Sequence, residues 1–216
     1  MLHEPASSLT DLALGLVVVG LALGLRRSPG VHRHWRTMFW WVGAAALAGA
    51  VHHGVVTRSE RWAEPSWALI SCMVVIGISY LLAATVVEVL GPGRGRVFWA
   101  LRSLSLLAYA ALALAGHAGI EAILLCEGVT MVAVIGLWIH AARARHALAL
   151  PLLAALAASS MAGATRALPG DVTARVGLDP TSLYHLAQIP GMVMLYGTLV
   201  CAAVLPRALR PRRQTA

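Results

Sequence analysis

Long apolar runs, separated by short turns that carry arginine, constrain this chain more than any other feature. Seven of them lie at about 8–25, 35–57, 67–90, 97–115, 118–140, 147–168 and 182–205. A helix needs roughly 20 largely apolar residues to cross a bilayer, and inside hydrocarbon every backbone N–H and C=O must bond within its own segment. The expected fold is therefore all-α: a polytopic bundle of seven transmembrane helices, one domain over residues 1–216. Only Gly116-His117 divides the fourth run from the fifth, so six helices is the rival count. The first run reads as a membrane helix and not as a cleaved leader, because Arg26 and Arg27 follow it and no basic stretch precedes it.

Charge points the same way. Charged residues make up 12% of the chain, against roughly 25% in soluble domains, and all 17 basic residues are Arg. Thirteen fall on one side of a seven-helix arrangement. These are Arg26, Arg27, Arg33 and Arg36 after the first run, Arg94, Arg96 and Arg102 around the third connection, Arg143 and Arg145, and four in the tail. Only Arg58, Arg61, Arg166 and Arg175 fall on the other. The positive-inside rule then puts the N-terminus outside and the C-terminus in the cytoplasm, and the Arg-only, Ala-rich composition points to a bacterial genome and hence a bacterial cytoplasmic membrane. The net charge of +8 is thus explained by helix orientation and lipid headgroups; membrane lipid is the expected partner and nucleic acid is not. The lack of lysine excludes chemistry that needs an amine. Cys72, Cys126 and Cys201 lie within apolar runs and read as small packing residues.

An ionisable group inside a bilayer helix costs about 2.5–3.5 kcal/mol on insertion scales, so each one needs a reason. Most of them collect near the outer ends of the runs: Asp11, His52 and His53, Glu64, His117 with Glu121, and His185 with Gln188. His117 and Glu121 are four apart and share a helix face. Thr181, His185, Gln188 and Met192 make one stripe, and Gly49 lies on the face of His53 while His52 is turned away by about 100°. Three imidazoles with nearby carboxylates match the ligand preferences of zinc. His53, His185 and His117 are the candidate ligands, with Glu121, Gln188, Thr181 and His52 in support. Glu127, mid-depth in the fifth run, reads equally as a hydrogen-bonded packing residue or a proton-handling acid.

The stretch Gly49-Ala50-Val51-His52-His53-Gly54, with Glu64 eleven residues after His53, resembles the superfamily of seven-helix membrane hydrolases (CREST) that includes the alkaline ceramidases and the adiponectin-receptor-like proteins. That family has Ser-x-x-x-His at the end of helix 2, an acidic residue soon after, and His-x-x-x-His on helix 7. Its three histidines hold zinc, and it cleaves a lipid amide or ester. The resemblance implies that His53 is the helix 2 ligand, Glu64 the acidic residue and His185 the second helix 7 histidine. Gly49 stands where the family has Ser and Thr181 where it has the first helix 7 His, so His117 or His52 would supply the third nitrogen. Glu4-Pro5, Thr10-Asp11 and the run from Asp179 to His185 resemble bacterial seven-helix proteins related to the same group. The implied chemistry is a zinc-activated water, with Glu64 or Asp11 as general base.

Other readings compete with the hydrolase. A relative of the same group could bind a lipid or partner without catalysis. A b-type haem protein would use His53 or His52 with His117 or His185 as axial ligands. A transporter would use Glu127, Glu121 and His185 as a relay, although no inverted repeat or broken-helix pair is visible.

Overall fold

The computed structural model describes residues 2–28, 30–116, 120–166 and 168–204, apart from the side chains of residues 113 and 120–122. These residues form helices and no strand. In chain order the helices are α1 (Pro5–Arg26), α2 (Arg33–Gly54), α3 (Glu60–Leu90), α4 (Gly95–Leu114), α5 (Ile120–Arg143), α6 (Ala149–Thr165), α7 (Gly170–Ala174) and α8 (Pro180–Val204), with a 3-10 turn at Val56–Arg58. Five stretches among the described residues are long and apolar enough to cross a membrane: Pro5–Arg26, Arg33–Arg58, Glu60–Leu90, Ile123–Arg143 and Pro180–Val204. Ala149–Thr165 is a shorter apolar helix.

Helix ends follow local chemistry. Pro5 and Pro180 sit at the first position of α1 and α8, where a missing N–H costs no hydrogen bond. Gly91 ends α3 at φ 87°, a left-handed conformation that suits glycine. α3 starts at Glu60, earlier than the apolar run suggests, and passes through Pro65. In the second turn that proline removes only the bond to the Arg61 carbonyl, which lies at the exposed end of the helix. The segment after α6 turns at Pro169 into the short α7 instead of extending the sixth run.

Six helices close a ring in the order α1, α2, α3, α5, α6, α8, while α4 lies outside it against α3 and α5. Val18, Leu25, Trp35, Phe39, Leu82 and Trp138 are fully buried in the core, and Trp138 donates its indole N–H to Thr85 Oγ1 at 3.2 Å. Small residues let neighbouring helices approach: a Cβ at Gly43 would stand 2.8 Å from Val19 of α1. Two expectations change here. Arg102, counted above with the cytoplasmic arginines, is 2% exposed, because one guanidinium nitrogen donates to Ser105 and to Thr130 of α5 and the other to the Val75 carbonyl of α3. Among the cysteines only Cys126 is buried; Cys72 and Cys201 lie on outward faces.

Candidate functional site

The starts of α1 and α8 meet the ends of α2 and α6 at one end of the ring, around a cavity of about 230 Å3. On α1, Ser7, Thr10, Asp11 and Leu14 are buried and share one face by their i, i+3, i+4, i+7 spacing. Ser8 donates to the Ala50 carbonyl at 2.8 Å and fixes α1 against α2. Ahead of α1, the backbone N–H groups of His3 and Glu4 donate to the carbonyls of Gly54 and His53, which holds Glu4 beside the end of α2.

Asp11 is the centre of the polar cluster. His185 Nε2 lies 3.3 Å from its Oδ1 and His53 Nε2 lies 3.9 Å from its Oδ2; the two imidazole centroids are 6.2 Å apart. The opposite ring nitrogens have partners that decide their tautomers. His53 Nδ1 donates to Glu4 Oε2 at 2.5 Å, since an ionised carboxylate can only accept. The single Thr10 hydroxyl proton points to the Ala6 or Ser7 carbonyl, so Thr10 Oγ1 accepts from His185 Nδ1 at 3.3 Å. Both Nε2 atoms therefore present lone pairs to a carboxylate that also carries lone pairs. Such a triangle needs a positive charge inside it, either a proton or a metal cation. Among the described residues, however, no group of three His, Cys, Asp or Glu side chains stands at metal-ligand geometry.

Gly49 explains how Asp11 fits. A Cβ at this position would run into the Asp11 carboxylate, so glycine, where the resembling family has Ser, leaves the space the carboxylate fills. Thr181 accepts from Arg166 at 3.3 Å, and both line the cavity with Gln188 and Tyr184. His52 faces away from the cavity, buried against α3, with Ser66 at 3.1 Å and Trp67 beside it. Glu64 lies within α3, exposed, and does not line the cavity. His117 lies outside the described residues, and so does the Glu121 side chain on α5. Glu127 shares its helix face with Met131, which lines the cavity; both its carboxyl oxygens are buried without a hydrogen-bond partner among the described residues.

Below the polar end the lining is apolar, with Leu14, Val42, Ile70, Ile78, Leu81 and Leu195 among its residues. At the mouth, Asp179 caps α8. It accepts from the backbone N–H groups of Thr181 and Ser182, both at 2.9 Å, and from the Ser182 hydroxyl. Burial raises its pKa, but these hydrogen bonds outweigh burial and hold it below 3.8.

Sequence reasoning brought together Asp11, His53 and His185 but missed three participants. Thr10 was legible as the neighbour of Asp11 on a polar stripe. Glu4 and Arg166 carry no periodic signal, since one reaches the site from a strap ahead of α1 and the other from the end of α6. No curated protein and no solved structure matches the chain. A family model, described as a family of unknown function (DUF6962), matches residues 6–200. That match covers the ring and the whole polar cluster except Glu4, and the chain therefore belongs to this DUF6962 family.

Proposed function

We propose that the protein is a membrane hydrolase of the bacterial cytoplasmic membrane, related to the ceramidase-like superfamily, that cleaves an amide or ester of an acyl lipid at Asp11, His53 and His185. In this reading the five long apolar helices, with α4 and the shorter α6, all span the bilayer, with the N-terminus outside and the C-terminus in the cytoplasm. Twelve arginines lie on the cytoplasmic side once the buried Arg102 is set apart, against four outside. The site then lies in the outer leaflet.

One observation carries the function: a cavity that is polar at one end and apolar below it. From His185 to Leu195, both in its lining, α8 descends about 15 Å at 1.5 Å per residue. That equals one leaflet, half of the roughly 30 Å hydrocarbon core. An acyl chain laid along this wall brings its carbonyl to Asp11 and the two imidazoles.

The triangle does the proton work. Asp11 takes a proton from the attacking water, the water oxygen bonds to the carbonyl carbon, and the C–N or C–O bond breaks. The proton passes to the leaving nitrogen or oxygen, releasing a fatty acid and an amine or alcohol. Glu4 and Thr10 fix which imidazole nitrogen faces the reaction. The donor set, two imidazole nitrogens and a carboxylate with outer hydrogen-bond partners, is of the type that suits zinc. These three side chains do not, however, stand at metal-ligand geometry, and every proton step here is carried by the chain's own residues. Asp11 weighs against the haem reading, because its carboxylate stands between the two imidazoles where iron would have to sit.

The test uses intact cells and an acyl amide whose headgroup bears a membrane-impermeant fluorophore. Cells expressing the protein should release the fluorophore outside, and Asp11→Asn should lower the rate about 10²–10⁴-fold, the range expected for loss of a general base. No release from amides or esters of any chain length, with normal expression, would leave the non-catalytic lipid-binding relative as the better account.

A further inference from the structure

The triangle explains the acid–base chemistry of the cavity mouth but not the arginine that lines the cavity beside it. Arg166 is half-buried, at the residue that follows the last turn of α6, and it lines the same cavity as Asp11 and His185. A guanidinium carries five N–H donors, yet among the described residues its one hydrogen bond goes to Thr181 Oγ1 at 3.3 Å. No carboxylate among the described residues is ion-paired with it; Asp11 faces the two imidazoles instead. A charge held at the edge of a bilayer site, with most of its donors unengaged, is a recognition element for a planar or tetrahedral anion.

We propose that Arg166 sets the specificity of this site, and that the lipid taken there carries a carboxylate or phosphate on the leaving-group side of its amide or ester, as in an N-acyl amino acid. This inference rests on the hydrolase reading for the position of the carbonyl. With the acyl chain below and the carbonyl at Asp11, the leaving group can only extend toward the mouth. There Arg166 and Thr181 line the α6–α8 side of the cavity.

Binding and hydrolysis separate this inference from the reading beneath it. Three probes are compared in detergent by calorimetry and by product release: N-lauroylglycine, 1-lauroyl lysophosphatidic acid and the neutral N-lauroylethanolamine. The wild type should bind at least one anionic probe about 10-fold or more tightly than the neutral one, and Arg166→Gln should remove that preference while keeping affinity for the neutral probe. Arg166→Lys, which keeps the charge but loses the fork, should keep part of it. The two anionic probes decide between carboxylate and phosphate. Anion preference without hydrolysis would sink the hydrolase reading and leave the anionic head group standing. Hydrolysis with no anion preference, or equal loss of all three probes in Arg166→Gln while Arg166→Lys binds normally, would overturn the role given to Arg166.

Discussion

Charge is buried in two regions of this bundle, and they treat it in opposite ways. In the seam between α3, α4 and α5, Arg102 is held by several partners: Ser105, Thr130 and the Val75 carbonyl accept from it, and Cys126 Sγ lies at 3.8 Å. At the end of the ring where α1 and α8 begin, Asp11 stands beside the His53 and His185 imidazoles and Arg166 uses one donor. The first arrangement holds a peripheral helix to the ring, with the buried Glu127 carboxyl of α5 as the one group near it that has no hydrogen bond among the described residues. The second is complete only with something added, a proton, a cation or an anionic ligand. Burial and hydrogen bonding differ together between the two arginines: Arg102 is fully buried with three oxygen acceptors, and Arg166 is half-buried with one.

The seam gives the largest effect on stability. Arg102→Met should lower stability by about 3 kcal/mol, because it strips a charge-assisted donor from three acceptors at once and leaves them buried. Thermal unfolding in detergent measures this, and hydrolysis per folded molecule should stay at the wild-type level. Asp11→Asn should show the reverse pattern, with activity lost and the unfolding midpoint kept or raised, as expected when a site is held at the expense of stability. A stable Arg102→Met protein without activity would erase the distinction between the two regions.

Gly49 sharpens the comparison at the site itself. Gly49→Ala puts a methyl group into the Asp11 carboxylate, so it should cost about 1–3 kcal/mol as an overpacked position and displace the carboxylate from both imidazoles. Combining it with Asp11→Ala should recover most of that loss, since residues in contact are not additive. A Gly49→Ala protein as stable and active as wild type would show that Asp11 can leave the triangle freely. The pairing Asp11–Gly49 would then cease to explain why this chain lacks the serine of the resembling superfamily.

The sequence made the helices readable because apolar length and arginine turns are local signals, and Asp11, His53 and His185 readable because charged groups are rare in such segments. It misplaced what depends on contact between distant elements. Arg102 looked like a cytoplasmic anchor, since seven residues into α4 is near enough to a helix end for a long side chain to reach water; only its partners Val75 and Thr130, on two other helices, bury it. The family resemblance implies Glu64 as the acidic residue beside His53, yet α3 begins at Glu60 and carries Glu64 on its exposed side. Glu4 could not be assigned, because its link to His53 depends on a backbone strap across the end of α2.

The smallest effect concerns the cap that sets α8, and with it His185, at the correct height. Asp179 accepts from Thr181 and Ser182, and Ser7 of α1 lies 3.5 Å from both its carboxylate oxygens, so the cap also ties α8 to the helix bearing Asp11. Asp179→Ala should cost about 1 kcal/mol, the usual value of an N-cap, while Asp179→Asn should keep most of the cap. The pH dependence has a definite sign. The folded pKa lies below the ordinary 3.8, so the charged carboxylate contributes stability that is fully present above 3.8 and is lost as pH falls through the folded value. Unfolding midpoints of wild type and Asp179→Asn, followed from neutral pH downward, should therefore run parallel until just above 3.8. Below that the wild type should lose its advantage. A gap between the two that widens on acidification would reverse the sign and remove Asp179 as the charged cap of α8.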